Sequence, residues 1–271
     1  MRPAGRGPSP WLAAGLLPTA LYVLFIGVPF VALFVRAVAE GGLGAQLGDP
    51  FVLQALRLSL LTSAVAVGVV ILLGTPFAYL LARSDFPGRR LLDATIELPL
   101  VLPPVVAGVA LLMAFGRQGL LGQWLEGIGI SLPFTSAAVV LAQIFVAAPF
   151  YLRAARLGFQ NVDVSLEHIA QTLGEPPWRT FFRVSLPLAA PSLLGGVVLC
   201  WARALSEFGA TIMFAGNLTG RTQTMPLAIL TAMERDLGES LALSVLLALL
   251  AMGILLALAL LPGLRLRREA P

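Results

Sequence analysis

Two charged residues lie inside an otherwise apolar stretch of the sequence, where an ionisable side chain needs a partner or a function. Arg203 and Glu207 are four residues apart within the segment 187–208, so they share one face of a helix. Charged groups in a membrane-spanning helix usually face the interior of the helix bundle or a water-filled cavity. A rise of about 1.5 Å per residue places Arg203 roughly 24 Å from Pro187, well past the middle of a bilayer. The pair either lines a path for a polar solute or forms an internal ion pair that orients the helix.

The other reactive residues do not form a catalytic or metal-binding set. The single cysteine, Cys200, lies in an apolar segment, the single histidine, His168, lies in a polar loop, and the chain has no lysine. One cysteine excludes an intrachain disulfide and a cysteine-based metal site. Without lysine the chain cannot contain the P-loop that binds nucleotide phosphates. We therefore predict that the chain is not an enzyme and holds no metal or cofactor of its own.

The composition is that of a membrane protein. Of the 271 residues, 58% are hydrophobic and 12% are charged, against roughly 25% charged residues in a soluble domain. The mean hydropathy is +0.90. The formal net charge of +4 comes from arginines between apolar segments, which indicates membrane topology and argues against nucleic-acid binding.

Six apolar segments are long enough to cross a bilayer, which takes about 20 residues. The first is too long for the apolar core of a signal peptide, so we predict a retained span. The densest group of prolines, from Pro99 to Pro104, predicts either an interrupted helix or a packing kink in the third span. We predict an all-α polytopic membrane protein with one transmembrane domain, residues 1–271, and spans at 11–38, 56–81, 98–115, 134–151, 187–208 and 241–261.

The arginines also predict the orientation of the chain. Twelve of them fall on one side of the predicted spans and five on the other. The side that is richer in arginine is expected to be cytoplasmic. Both termini are then cytoplasmic, as an even number of spans requires.

The loop 159–186 lies on the cytoplasmic side in this topology, and its local structure can be predicted. Ser165 is the first candidate for the N-cap of a short helix, with Asp163 as the alternative. Gly174 supplies a left-handed C-terminal stop, and two prolines then begin a second short helix. Such a helix either docks on a partner protein or lies on the lipid surface. Its apolar face consists of Leu166, Ile169, Ala170 and Leu173.

The spacing within this loop resembles the coupling loop of ABC importer permeases. That pattern is Glu-Ala-Ala, three residues, Gly, nine residues, Ile, one residue, Leu-Pro. Gly174, Val184 and Leu186-Pro187 match the spacing, with Val in place of Ile. At the front of the pattern, His168 stands where Glu belongs and Glu167 comes one position early. The resemblance implies an ATPase-coupling loop that includes Glu167, His168, Ile169, Ala170, Leu173, Gly174, Leu186 and Pro187.

A second resemblance concerns the charged segment. The run from Arg203 to Asn217 is similar to the corresponding segment of molybdate permeases, and sulfate permeases share its Arg-Ala-Leu-x-Glu-Phe-Gly-Ala core. The run from Thr222 to Ile229 is also similar to the molybdate group. The resemblance implies a type I ABC importer permease in a bacterial or archaeal cytoplasmic membrane. It would act as a homodimer with a dimeric cytoplasmic ATPase, which binds ATP and Mg, and with an extracytoplasmic oxyanion-binding protein.

Polar residues on and after the charged segment suit such a cargo. Hydroxyl, amide and guanidinium groups can hydrogen-bond a tetrahedral dianion as it passes, although loops are commonly polar without binding anything. The candidate residues of the translocation path are Arg203, Ser206, Glu207, Asn217, Thr219 and Thr222.

Three other functions remain to be weighed against molybdate or tungstate import. A sulfate or thiosulfate ABC permease would share the same charged core. An ion-coupled secondary transporter would typically have internal repeats and several acids within its spans, whereas Glu207 is the one acid inside a predicted span here. A membrane-embedded enzyme would need a polar catalytic cluster at one depth, and the sequence does not supply one.

Overall fold

A computed structural model describes residues 10–40 and 48–259, and within these ranges the chain forms helices and no strands. The helices are α1 (Pro10–Ala39), α2 (Pro50–Arg83), α3 (Arg89–Val101), α4 (Pro104–Phe115), α5 (Gly122–Gly127), α6 (Ser136–Gln160), α7 (Val164–Thr172), α8 (Pro177–Thr180), α9 (Leu186–Leu205), α10 (Gly209–Ala215), α11 (Met225–Met233) and α12 (Leu237–Ala259). A π-helical turn, Phe181–Ser185, joins α8 and α9 into one continuous helix. The predicted all-α membrane architecture is confirmed.

Within the described part of the chain, five continuous helices are long and apolar enough to cross a membrane. They overlap the predicted spans 11–38, 56–81, 134–151, 187–208 and 241–261 but differ from them at their ends, and residues 260 and 261 lie outside the described part of the chain. The largest extensions are at the two ends that adjoin the loop 159–186, because helical structure continues beyond the apolar residues. The five segments are Gly15–Ala39, Pro50–Arg83, Ser136–Gln160, Pro177–Leu205 and Leu237–Ala257.

The third predicted span, 98–115, is not one helix. The structure replaces it with α3 and α4, which are bent by 119° at the break between them. Pro103 and Pro104 cause the break, because proline lacks a backbone N–H and disfavours a helical conformation in the residue before it. Leu102 is accordingly extended, with φ −68° and ψ 133°. Of the two alternatives left open by the sequence, the structure therefore shows an interruption and not a packing kink.

Helix α6 is the centre of the bundle. Its C-terminal half, including Tyr151 and Phe159, packs against α2 and α9 in one apolar cluster. Its N-terminal half, including Val139, packs against α4 and α10 in a second cluster. A third cluster joins α2 to α11 and α12 around Met225. These contacts hold the C-terminal end of α6, which leads into α7, close to the C-terminal end of α2 and the N-terminal end of α9.

Helices α4 and α10 approach each other at glycine. A Cβ atom at Gly108 would lie 2.7 Å from Met213 Cβ and 2.8 Å from the Ala210 carbonyl oxygen. Small residues of this kind allow close helix contact in membranes, where packing drives association. The crossing fixes α10 directly after the charged residues Arg203 and Glu207.

Candidate functional site

Helix α7 begins at Asp163, which caps its N-terminus. Its carboxylate accepts a hydrogen bond of 2.9 Å from the backbone N–H of Ser165. This hydrogen bond holds the pKa of the Asp163 carboxyl below its ordinary value. Asp163, the alternative N-cap predicted from the sequence, is thus the observed N-cap, and the first prediction, Ser165, is wrong. Ser165 lies within the first turn and donates its own N–H to the cap.

Helix α7 ends as predicted, at Gly174. Gly174 has φ +92°, and the Glu175 N–H reaches back to the Ala170 carbonyl at 3.1 Å. A φ in this range is the left-handed conformation that glycine adopts without steric cost. Pro177 then begins α8, with Pro176 as the preceding cap residue.

The apolar face of α7 points away from the bundle. Leu166 is 43% exposed, Ile169 55% and Leu173 81%, while Ala170 is partly buried. We call the first three residues the apolar knob. His168, at the position of the family glutamate, is also exposed. The predicted docking residues that are open to a partner are therefore His168, Ile169, Leu173, Gly174 and Pro187.

Glu167 points in the opposite direction, into the bundle. Its side chain is 6% exposed and lies 2.7 Å from a terminal guanidinium nitrogen, Nη2, of Arg83 at the end of α2. The Ser185 hydroxyl donates to Glu167 Oε1 at 2.7 Å, and the Tyr79 hydroxyl donates to Oε2 at 3.2 Å. The carboxylate of Glu167, a residue of the predicted coupling loop, is thus occupied within the chain.

The environment of Glu167 also controls its charge. Burial alone would raise the pKa of this carboxyl. The hydrogen bonds from Arg83 and Ser185 and the charge of Arg83 outweigh burial, and they hold the pKa below its ordinary value. Glu167 therefore carries a negative charge at neutral pH.

Sequence reasoning did not identify Tyr79, Arg83 and Ser185 as the partners of Glu167. Arg83 and Glu167 are 84 residues apart in the chain, so no local pattern could pair them. Leu186 packs partly buried against the apolar cluster around α6, and Pro187 is exposed. These two residues form the base of α9 next to the loop.

The second candidate site is the charged segment, where Glu207 proves to be a structural residue. Its side chain is completely buried, and its Oε2 lies 2.5 Å from Arg203 Nη2, although the guanidinium N–H is not aligned with it. Its Oε1 accepts the backbone N–H of Ala210 at 2.8 Å in the first turn of α10. Of the two alternatives, the structure favours the internal ion pair, since Glu207 lines no accessible surface of the chain.

The neighbours of Glu207 are more accessible. The Arg203 side chain is 23% exposed. Ser206 is exposed and donates its hydroxyl to the Arg203 carbonyl at 3.2 Å. Arg203 and Ser206 therefore remain candidates for contact with a solute, and Glu207 does not.

The loop between α10 and α11 separates the three remaining candidates. Thr222 is buried; it accepts the Leu218 N–H at 3.0 Å and donates to the Gly216 carbonyl at 3.3 Å, so it shapes the loop and cannot reach a solute. Asn217 is exposed but donates to the Thr231 hydroxyl at 3.0 Å. Thr219 is exposed without such a constraint among the hydrogen bonds of the described residues.

Residues 71–266 match the family described as "Binding-protein-dependent transport system inner membrane component". The chain is 44% identical over 235 residues to the molybdenum transport system permease protein ModB of Mycobacterium tuberculosis, covering 87% of this chain and 89% of that protein. It is 47% identical over 188 residues to ModB of Escherichia coli, with coverage of 69% and 82%. It is 41% identical over 223 residues to the sulfate transport system permease protein CysW of Synechococcus elongatus, with coverage of 79% and 78%.

Solved structures with the same fold include two importers. One is a bacterial ABC transporter involved in the import of the acidic polysaccharide alginate, with a TM-score of 0.77 and 17% identity over 95% of this chain and 96% of that chain. The other is the MetNI methionine ABC transporter in an inward-facing conformation, with a TM-score of 0.58 and 18% identity over 77% and 93% of the two chains. At these identities the likeness concerns the fold alone.

Proposed function

Because this chain belongs to the family of binding-protein-dependent transport system inner membrane components, we propose that it is the permease subunit of an ATP-driven importer of molybdate or tungstate. The single observation that carries the transport role is α7, a short helix outside the spanning segments that turns its apolar side away from the bundle. Burying one such side chain against a partner contributes about 1.5–3 kcal/mol. The apolar knob is therefore suited to a protein surface.

The proposed partners follow from this arrangement. A dimeric cytoplasmic ATPase binds the apolar knob. This partner also binds ATP and Mg, because the chain itself has no P-loop. An extracytoplasmic oxyanion-binding protein delivers the cargo, and a second copy of this chain completes the path. Both termini lie in the cytoplasm, in accordance with the distribution of arginines.

The proposed mechanism is mechanical. Nucleotide-driven closure of the ATPase pushes α7, the attached helices tilt, and access to the path switches from the outer to the inner side. Arg203 and Ser206 offer hydrogen-bond donors to the passing oxyanion. Binding along the path has to stay weak, so tight selection belongs to the separate binding protein.

The cargo proposal rests on the identity to the two ModB proteins, which covers most of this chain. Its test is uptake of labelled molybdate into vesicles that contain the assembled complex and internal ATP. We expect uptake to persist in the presence of an equal concentration of sulfate. If sulfate at that concentration competed with molybdate on equal terms, the preference for molybdate over sulfate would be contradicted.

Sulfate import is the second candidate, and the similarity to CysW is the observation that favours it. An ion-coupled secondary transporter is tested in the same vesicles. Uptake that continues without the ATPase subunit and collapses with an uncoupler would replace the ATP-driven mechanism.

A further inference from the structure

We propose that the Glu167 carboxylate is the joint that transmits movement of α7 to the transmembrane helices, and that Arg83 is the positioning residue of this joint. The inference rests on the proposed function and deepens it, because it names the contact through which the ATPase acts on the transmembrane helices. It assigns to Glu167, Arg83, Tyr79 and Ser185 a role in coupling that does not require contact with the ATPase or the cargo.

The first argument is the way α7 is attached. Of its nine residues, Glu167 is the one that is buried. An amphipathic helix normally packs on its core through apolar side chains, but here the apolar knob faces outward. Glu167 is therefore the one fully buried side chain through which a force applied to the knob can reach the bundle, beside the partly buried Ala170 and the chain connections at the two ends of α7.

The second argument is the convergence of elements on one carboxylate. Arg83 belongs to the last turn of α2, and Ser185 to the π-helical turn that directly precedes α9. The same Arg83 Nη2 atom that contacts Glu167 Oε1 at 2.7 Å also donates to the Val162 carbonyl, just after α6, at 3.0 Å. A displacement of Glu167 thus acts on α2, on the C-terminal end of α6 and on the N-terminal end of α9.

The third argument is the stiffness of the surroundings. Tyr79 donates to Glu167 and packs edge to face on Phe159 of α6 at 5.3 Å and on Phe181 of the π-helical turn at 4.9 Å, measured between ring centroids. The Arg83 guanidinium carbon lies 5.9 Å from the centre of the Tyr79 ring. A buried ion pair with this many hydrogen bonds resists displacement, and removal of one partner leaves the other charge buried and unpaired.

The test uses vesicles that contain the complete complex, with ATP inside and labelled molybdate and binding protein outside. The measured quantity is molybdate imported per ATP hydrolysed. Glu167→Gln removes the charge and keeps the size. The matched control is Glu175→Gln, since Glu175 is in the same loop but pairs with Arg183, whose side chain is 66% exposed.

We expect Glu167→Gln to lower the ratio at least about tenfold while ATP hydrolysis stays within about twofold of the wild type, because the buried pair is lost and the ATPase is unaltered. Glu175→Gln should leave both quantities unchanged. Arg83→Lys keeps the charge but loses the two-nitrogen contact that Nε and Nη2 make with the Glu167 carboxylate, so the ratio should fall to an intermediate value. A purely structural role would lower ATP hydrolysis and uptake in parallel, and that outcome would overturn the inference, as would an unchanged ratio.

Two further measurements keep the outcome decisive. If Glu167→Gln does not assemble, Tyr79→Phe and Ser185→Ala each remove one hydrogen bond without creating a charge imbalance, and an unchanged ratio in both would overturn the inference.

If the wild-type complex imports no molybdate, the cargo proposal fails, and hydrogen exchange in the isolated permease then tests the joint. The amides of residues 164–172 should exchange faster in Glu167→Gln than in Glu175→Gln, and equal exchange would overturn the joint independently of any cargo.

Discussion

Gly174 ends α7 in the left-handed backbone conformation, which residues with a Cβ atom rarely adopt. Its φ is +92°, and a Cβ atom built there would meet nothing within 4 Å in this chain. The requirement for glycine therefore comes from the backbone and not from crowding. A non-glycine residue in the left-handed region costs about 1–2 kcal/mol, less for asparagine.

We expect Gly174→Val to reduce uptake by at least about fivefold, because a penalty of one or two kcal/mol shifts a conformational equilibrium by that order. Gly174→Asn should retain most of the activity. The measurement is uptake in vesicles, normalised to the amount of permease in the membrane. Equal loss in both variants would indicate that the partner interface, and not the backbone, excludes a side chain.

The charge of Glu167 predicts a pH dependence of stability. The pKa of this carboxyl lies below its ordinary value of 4.5 in the folded protein. Stabilisation by the ion pair is therefore complete above about pH 4.5 and is lost as the pH falls through the lower, folded-state pKa.

Thermal unfolding of the purified permease in detergent tests this prediction. The wild type should unfold at a higher temperature than Glu167→Gln at pH 6 to 7, and the difference should shrink as the pH falls below about 4.5. A difference that is the same at every pH would mean that hydrogen bonding, and not charge, stabilises the joint.

At the scale of elements, the crossing of α4 and α10 determines where the second half of the broken span lies. Gly108 contacts Ala210 and Met213 so closely that a methyl group cannot be accommodated without movement. The crossing also positions the first turn of α10, whose Ala210 N–H is bound by Glu207.

We expect Gly108→Ala to destabilise the permease by about 1–3 kcal/mol, the usual cost of overpacking. Gly68→Ala is the matched control, because Gly68 also lies in a membrane-spanning helix, α2, but has nothing within 4 Å of the built Cβ. The melting temperature of the detergent-solubilised protein should fall by several degrees in the first variant and stay level or rise in the second. A similar decrease in both would show that loss of a membrane glycine is harmful irrespective of packing.

At the scale of the whole molecule, the proposed topology places α7 in the cytoplasm and the segment around Leu120 outside. Both Leu120 and Leu173 are more than 80% exposed, and the native Cys200 is buried. In cells that make the permease without the proposed ATPase, which would cover Leu173, a cysteine at either position would therefore be readily accessible on one side of the membrane.

In a Cys200→Ser background, we expect a membrane-impermeant maleimide to label Leu120→Cys in intact cells and to label Leu173→Cys only after the membrane is opened. The physical reason is the excess of arginine on the side that carries α7, which is retained in the cytoplasm. The reverse labelling pattern would place the apolar knob outside and would contradict coupling to a cytoplasmic ATPase.

Several features of the protein were determined by the sequence alone. The apolar segments predict most of the spans because bilayer thickness sets a minimum length of hydrophobic helix. Gly174 and Pro177 predict the end of α7 and the start of α8 because these residue types act through their own backbone. The match of Gly174, Val184 and Leu186-Pro187 to a family pattern depends on spacing that can be read directly.

The direction of individual side chains was decided only by the tertiary structure. Glu167 and Ile169 are two positions apart on α7 and so lie on different faces of the helix. That the Glu167 face is the one turned inward agrees with its contact to Arg83, 84 residues earlier in the chain. Glu207 and Thr222 likewise look like contacts for a solute in the sequence but are enclosed by α10 and by the loop that follows it. Local patterns specify which residues form a helix, whereas the face that a helix turns inward is set by partners distant in the chain.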